Sequence, residues 1–217
     1  FDESLALAVF RFQARACEPY RRYVDLLGID PGGGGSIGEV PYLPVEFFRS
    51  HRGWSAAGDR EPETVFTSSG TTGTETSRHY VCSTALYDEA FTRGFERFYG
   101  AAEGWSIFAL LPSYMERSGS SLVWMVERLQ AKNGACGGFY LYDHDKLTVD
   151  LEIAAQRGEK ILLIGVSFAL LDYAEYLSGR GIALRLPADA VVMETGGMKG
   201  RRREVSRETM HDAFRHA

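Results

Sequence analysis

The sequence predicts an α/β fold, a mostly parallel sheet with helices on both faces, preceded by an N-terminal helical segment. Three observations carry that prediction. From Thr64 onward, short β-prone runs alternate with segments whose apolar residues recur at helical spacing, the pattern of strand–helix–strand units. Residues 161–166 are apolar without alternation, as a strand buried on both faces requires. Polar or glycine-rich turns follow four of the predicted strands. In open parallel sheets ligands gather at the carboxyl ends of the strands, so these turns are expected on one edge.

Taken in order, Leu5, Val9 and Phe12, then Tyr20, Tyr23, Val24 and Leu27, recur at helical spacing. Pro19 divides them into two helices, because proline removes a backbone donor and clashes with the preceding turn. Gly28 is suited to cap the second. Pro31-Gly32-Gly33-Gly34-Gly35 reads as a flexible connector, since nothing flanking it supplies a strand or a charge. Residues 1–40 are therefore expected to form a helical segment and linker, and residues 41–217 the α/β domain. Pro44 suits the first turn of a short helix that offers Phe47 and Phe48 as core anchors. Strands are predicted at residues 64–67, 79–82, 107–111, 139–142, 161–166 and 191–194. Helices are predicted at 85–99, with Ser83 or Thr84 as N-cap and Gly100 past its end, and at 120–131, closed by Gly134. Further helices are expected at 147–156, 168–177 and 203–214.

The bulk properties exclude several classes of function. A chain of 217 residues, 45% hydrophobic and 24% charged, has the composition of an ordinary globular protein. A net charge of −5 gives no basic field for a nucleic-acid backbone. The apolar run at 161–166 is far short of the ~20 residues that span a bilayer. Cys17, Cys82 and Cys136 are odd in number and widely spaced, without metal-type pairing, which fits reduced thiols in a cytoplasm. No histidine–cysteine or serine–histidine–acid arrangement can be argued, and His79 and His144 lack partners in sequence.

The most distinctive stretch is Thr67-Ser68-Ser69-Gly70-Thr71-Thr72-Gly73-Thr74-Glu75-Thr76-Ser77-Arg78, between two β-prone runs. Glycines let a backbone approach a ligand closely, and successive N–H groups with Ser/Thr hydroxyls can converge on an anion such as phosphate. The same composition also suits a polar hairpin loop. There is no Gly-Lys-Ser/Thr here, so the segment is not a P-loop of the usual kind.

Ser69-Gly70-Thr71-Thr72-Gly73 resembles the phosphate loop of adenylate-forming ligases, which activate carboxylic acids with ATP. Within that group the chain is most similar to the acyl-protein synthetases of the LuxE type. Three further motifs carry the likeness: Leu43-Pro44-Val45-Glu46-Phe47-Phe48-Arg49, Leu111-Pro112-Ser113-Tyr114-Met115-Glu116-Arg117 and Glu194-Thr195-Gly196-Gly197-Met198-Lys199. The resemblance runs from about Leu43 to the C-terminus, and four motifs in order are far more specific than one glycine loop. It would call for more sequence after Ala217: a further strand, a ribose-binding aspartate, a segment with a lysine, and the acyl-accepting cysteine. The chain is thus expected to be the N-terminal part of a longer protein.

The resemblance implies ATP and Mg2+ as cofactors and a carboxylic acid, a fatty acid in kind, as substrate. It also implies an acyl-CoA reductase-type partner for the complete enzyme. Ser68, Ser69, Gly70, Thr71, Thr72 and Gly73 would grip the β- and γ-phosphates, and Gly196-Gly197 would let adenine stack on backbone. Tyr114, Glu116 and Arg117 fall where the family places its acyl entrance, and Tyr114, Glu116 and Ser120 are the substrate contacts that the resemblance implies. Leu122, Val123, Met125, Val126 and Leu129 are a helical apolar face that suits ordinary core or a chain lining. Where many such ligases carry Pro-Lys after the last glycine, this sequence has Glu75 and Thr76. Arg78 is the nearest cation, either a bidentate phosphate clamp or a surface partner of Glu75. Lys199 with Arg201, Arg202 and Arg203 reads as a solvated basic patch. Two other readings stay open: a ligase for an aryl or small acid, and a non-catalytic nucleotide-binding module.

Overall fold

A computed structural model of the chain describes residues 2–33, 35–55, 60–68, 76–112, 118–132, 136–196 and 205–216. The chain divides into two compact units, Phe1–Leu86 and Tyr87–Ala217.

In the first unit, α1 (Glu3–Ala16) and α2 (Glu18–Leu26) meet at Cys17, which is C-cap of one and N-cap of the other. Asp2 opens α1 by accepting from Leu5 N at 3.0 Å. Pro19 sits in the first turn of α2, where its missing N–H costs nothing, so the break precedes it by two residues. A 3-10 turn (Ile37–Glu39) and the short α3 (Phe47–Ser50) lead to β1 (Thr64–Thr67) and β2 (Arg78–Val81). These two strands pair antiparallel, Thr64 opposite Val81 and Thr67 opposite Arg78. Among the described residues they form a sheet of their own. The expectation that the hydroxyl segment would share one sheet edge with the later turns is therefore corrected. The physical reason is length: ten residues join β1 to β2, and a parallel crossover needs a dozen or more.

The second unit contains the parallel sheet. Its strands are β3 (Trp105–Leu110), β4 (Gly137–Phe139), β5 (Lys160–Gly165) and β6 (Val191–Glu194), in spatial order β4-β3-β5-β6. All three pairings are parallel. The connecting helices are α5 (Ser121–Ala131), α6 (His144–Gln156) and α7 (Ser167–Arg180); α4 (Ala85–Tyr99) precedes the sheet and α8 (Arg207–His216) follows it. The chain steps from β3 outward to β4, then returns past β3 to β5. Right-handed crossovers therefore send α5 to one face and α6 and α7 to the other. The contacts agree. Trp124 of α5 donates to Asp88 of α4 at 2.7 Å, while Tyr173 of α7 and Thr148 of α6 share a hydrogen bond of 3.0 Å.

The core lies between these layers. Every residue of β3 is buried, and Ile161, Leu162, Leu163 and Ile164 of β5 are buried as the unbroken apolar run predicts. Val123, Val126 and Leu129 of α5 are buried and Leu122 and Met125 pack against the same core. Gln130 donates to the Ile107 carbonyl at 2.9 Å, satisfying a sheet acceptor from the helix.

Boundaries moved where backbone contacts override propensity. Of the stretch expected at 139–142 only Phe139 lies in the strand; β4 begins at Gly137, because only glycine can approach β3 so closely. A Cβ at Gly137, where φ is +144°, would lie 2.2 Å from the Ile107 carbonyl oxygen. α6 starts three residues earlier than expected, because the Asp143 carboxylate caps it by accepting from Lys146 N at 3.0 Å. α7 extends to Arg180, ended by Gly181 in the left-handed region at φ 64°.

Candidate functional site

Two places carry the residues that the sequence singles out, one in each unit.

In the first unit the neck of the hydroxyl segment is closed by a reciprocal pair. Ser68 N donates to the Ser77 carbonyl at 3.1 Å, and Ser77 N donates to the Ser68 hydroxyl at 3.0 Å. Ser77 is 9% exposed, and its hydroxyl meets His79 Nε2 at 3.3 Å. The exposed His79 ring packs on Phe48 of α3, centroids 4.8 Å apart. Two of the sequence motifs are thereby joined: Phe48 belongs to Leu43–Arg49 and His79 to the strand leaving the hydroxyl segment. Tyr80, next along, holds the Arg52 guanidinium over its ring at 5.0 Å, with Trp54 on Arg52 at 5.5 Å. Arg78 is exposed at the first position of β2. Ser69, Gly70, Thr71, Thr72, Gly73 and Glu75 lie outside the described residues.

In the second unit the carboxyl ends of β3, β5 and β6 lie side by side. β3 and β5 are adjacent, and the chain leaves them for opposite faces, which makes the gap between them the switch point of the sheet. Gly165 closes β5, Val166 turns, and Ser167 begins α7. The buried Ser167 hydroxyl donates to the Glu194 carboxylate at the end of β6. The same carboxylate oxygen accepts from Gly196 N at 2.6 Å. Thr195 N and Thr195 Oγ1 both donate to the Gly165 carbonyl, at 3.0 and 3.1 Å. The turn Glu194-Thr195-Gly196 is thus tied to the end of β5 by backbone and side chain together. Glu194 places a negative charge beside the α7 N-terminus, where the helix dipole favours it. At Gly196, φ is +79° and an added Cβ would meet nothing nearer than Glu194 Oε1 at 4.0 Å. Backbone conformation, not lack of space, is what asks for glycine there.

On the same edge, Ser120 is the N-cap of α5 and accepts from Val123 N at 3.3 Å. Its hydroxyl therefore has a structural duty whatever else it contacts. Tyr114, Glu116, Gly197 and Lys199 lie outside the described residues.

Next to the sheet, α6 and α7 enclose a polar and aromatic cluster. His144, the first residue of α6, lies 5.4 Å from the Tyr173 ring and 5.2 Å from Tyr176. Its Nε2 is sealed from solvent and has no hydrogen-bond partner among the described residues. Burial holds its pKa below the ordinary histidine value, although Asp172, Asp143 and Asp145 pull the other way. Burial also pushes the Tyr173 hydroxyl up to about 12, so it stays protonated at neutral pH. These groups brace the two helices against each other.

Sequence reasoning missed two contacts, Ser167 with Glu194 and Phe48 with His79. Each joins residues distant in sequence: 27 positions separate Ser167 from Glu194. Both lie in or beside motifs already singled out, which was the available signal. Comparison of the chain with protein-family models and with curated proteins finds no match. Among the described residues no helix is long and apolar enough to cross a membrane.

Proposed function

We propose that the chain is the ATP-binding part of an adenylate-forming ligase of the acyl-protein synthetase kind, acting on a carboxylic acid such as a fatty acid. The observation that carries the reading is the Thr195-Gly196 turn. It lies at the carboxyl edge of a parallel sheet, beside the switch point, and is anchored to Gly165 by two hydrogen bonds of 3.0 and 3.1 Å. An anchored turn at that edge that carries Gly196 suits a flat heteroaromatic ring, because stacking on the glycine backbone needs no rearrangement.

In the reaction, a carboxylate oxygen bonds to the α-phosphorus of ATP, the bond to the bridging oxygen breaks, and pyrophosphate leaves with the electron pair. Backbone N–H groups of Ser69–Gly73 and the hydroxyls of Ser68, Thr71 and Thr72 would hold the β- and γ-phosphates. The Arg78 guanidinium, at the end of the segment, would offset charge building on phosphorus. Gly196 and Gly197 would admit adenine, and Tyr114, Glu116 and Ser120 would border the acid. Mg2+ would come with the nucleotide. Among the described residues no group of three or more His, Cys, Asp or Glu side chains could hold a metal. Mg2+ bound through phosphates and one carboxylate needs no such group, and Glu75 is the carboxylate nearest in sequence. A longer protein would pass the acyl group to a cysteine and then to a reductase-type partner, in a cytoplasmic setting.

One observation favours a second reading, a nucleotide-binding module without activation: Glu75 and Thr76 replace the Pro-Lys of many ligases. Acid-dependent exchange of pyrophosphate into ATP separates the two, and a panel including aryl acids tests the substrate class.

The first test is Mg-ATP binding by calorimetry to the chain and to a Thr71→Ala/Thr72→Ala variant. Loss of a hydroxyl donor to a charged phosphate costs roughly 1.5–3 kcal/mol, so the variant should bind at least about tenfold more weakly. Equal affinity of the two proteins would remove the hydroxyl segment from the site.

A further inference from the structure

Helix α1 has two apolar faces, and the first unit uses one of them. On the inner face Ala14 is buried, and the Phe10 ring meets Tyr20 of α2 edge-on, centroids 6.2 Å apart. The other face is made of Leu5, Ala8, Val9 and Phe12, all exposed, with Leu5 62%, Val9 49% and Phe12 52% open to solvent. At 3.6 residues per turn these four fall within about 100° of one another, the stripe of a helix that covers a partner. The apolar spacing that marks α1 in the sequence thus belongs to its outward face. The stripe is also symmetric about its own middle. Counting outward from between Ala8 and Val9, Leu5 balances Phe12, and a step further Asp2 balances Arg15. Asp2 is the N-cap of α1, and Arg15 lies in its last turn. Arg15 Nε donates to the Arg11 carbonyl at 3.0 Å, and among the described residues no carboxylate pairs with its guanidinium. Such a stripe fits a reversed copy of itself, since each apolar residue then faces another and each charged end faces its opposite. Helix dipoles running in opposite directions add to the match.

We propose that α1 is a dimerisation surface whose partner is a second copy of this chain, the two α1 helices packing antiparallel about a twofold axis between Ala8 and Val9. Leu5 of each copy then faces Phe12 of the other, Ala8 faces Val9, and Asp2 meets Arg15 at both ends. Charge selects this occupant and this direction. A parallel copy would set Asp2 against Asp2 and Arg15 against Arg15, which repel. The seam is about 21 Å long, 14 residues at ~1.5 Å each, and one helix wide. So small a contact falls below the ~1,200 Å2 of standard interfaces, and the dimer it makes is weak and concentration-dependent.

The test is sedimentation velocity of the whole chain from about 5 µM to about 500 µM, the range in which a weak dimer forms. The parent should pass from monomer to dimer as concentration rises. Val9→Lys sets two like charges beside the axis and should raise the dissociation constant at least about tenfold. Arg15→Glu turns both end contacts into acid–acid pairs and should raise it about threefold or more, less because those contacts are exposed. A parent that stays monomeric throughout overturns the proposal. If Val9→Lys then also lowers the melting midpoint, the stripe is covered within its own chain; if it does not, the stripe serves a different partner or none. A dimer that both variants leave unchanged uses another surface, which overturns the proposal as well. Direction is read by disulfide formation in a Cys82→Ser/Cys136→Ser background, which leaves only the buried Cys17. Leu5→Cys mixed with Phe12→Cys should cross-link, while neither should cross-link with itself. Cross-linking of like with like refutes the antiparallel arrangement. Both of these substitutions fall at exposed positions, so the decision stands even if Val9→Lys fails to fold.

Discussion

Gly165→Ala adds one methyl group where β5 ends and the candidate site begins. The new Cβ would lie 2.9 Å from Leu110 Cβ, closer than real Cβ atoms approach, and 3.0 Å from Leu170 Cγ, a contact tighter than most. Leu110 Cβ cannot rotate away because it is bonded to the β3 backbone. Leu170 is 1% exposed in a packed core, so its side chain has no free volume to enter. Either β3 and β5 separate locally or α7 lifts by some tenths of an ångström. Overpacking of this kind costs about 1–3 kcal/mol, and the contact of two fixed neighbours argues for about 2. At about 2–4 °C per kcal/mol for a chain of this size, the midpoint of thermal unfolding should fall by about 4–8 °C. The control is Gly94→Ala, in the middle of α4, where an added Cβ meets nothing within 4 Å. There the gain in helix propensity should stabilise by about 0.5–1 kcal/mol. Melting followed by far-UV circular dichroism, with urea unfolding in parallel, reads both signs. If Gly165→Ala melts with the parent, the packing deduced at the end of β5 is wrong.

Other expectations concern the edge of the sheet and the cluster beside it. Glu194→Ala leaves the buried Ser167 hydroxyl and Gly196 N–H without their acceptor and should cost about 1–3 kcal/mol in urea unfolding. Glu194→Gln keeps an acceptor of the same shape and should cost less than half of that; equal losses would refute the cap assignment. His144 has a folded pKa below the unfolded value of 6.5. The unfolded chain therefore binds more protons in the window between the two, and stability should fall as pH drops below about 6.5. Stability above that window is unaffected by this group. His144→Phe retains a ring between Tyr173 and Tyr176 and should flatten the profile between pH 5 and 7. Identical profiles of parent and variant would show that burial of His144 has no such effect.

Much of the second unit was legible in advance because its signals are local. The apolar run at 161–166 could be satisfied only between two helical layers, and β5 is buried accordingly. Ser120 and Gly100 bound α5 and α4 where their chemistry predicts. The strand at 139–142 was misplaced because aromatic residues favour strands on average. Here close approach of backbones selected Gly137 and Gly138 instead, and Tyr140 hydrogen-bonds Asp150 at 2.6 Å beyond the strand. Of the candidate site, the motifs were visible and their partners were not.

What the sequence determined by itself is the alternation of strands and helices, the two-sided burial of the central strand, and the positions of the turns that carry glycine and hydroxyl groups. Each follows from periodicity, caps and breakers, which act over a few residues. Only the tertiary structure decided which strands share a sheet. It separated the hydroxyl segment's hairpin from the β4-β3-β5-β6 sheet. It also joined Ser167 to Glu194 and Phe48 to His79. Such pairings are chosen by long-range packing and by the satisfaction of buried polar groups, and neither is written in the spacing of neighbours along the chain.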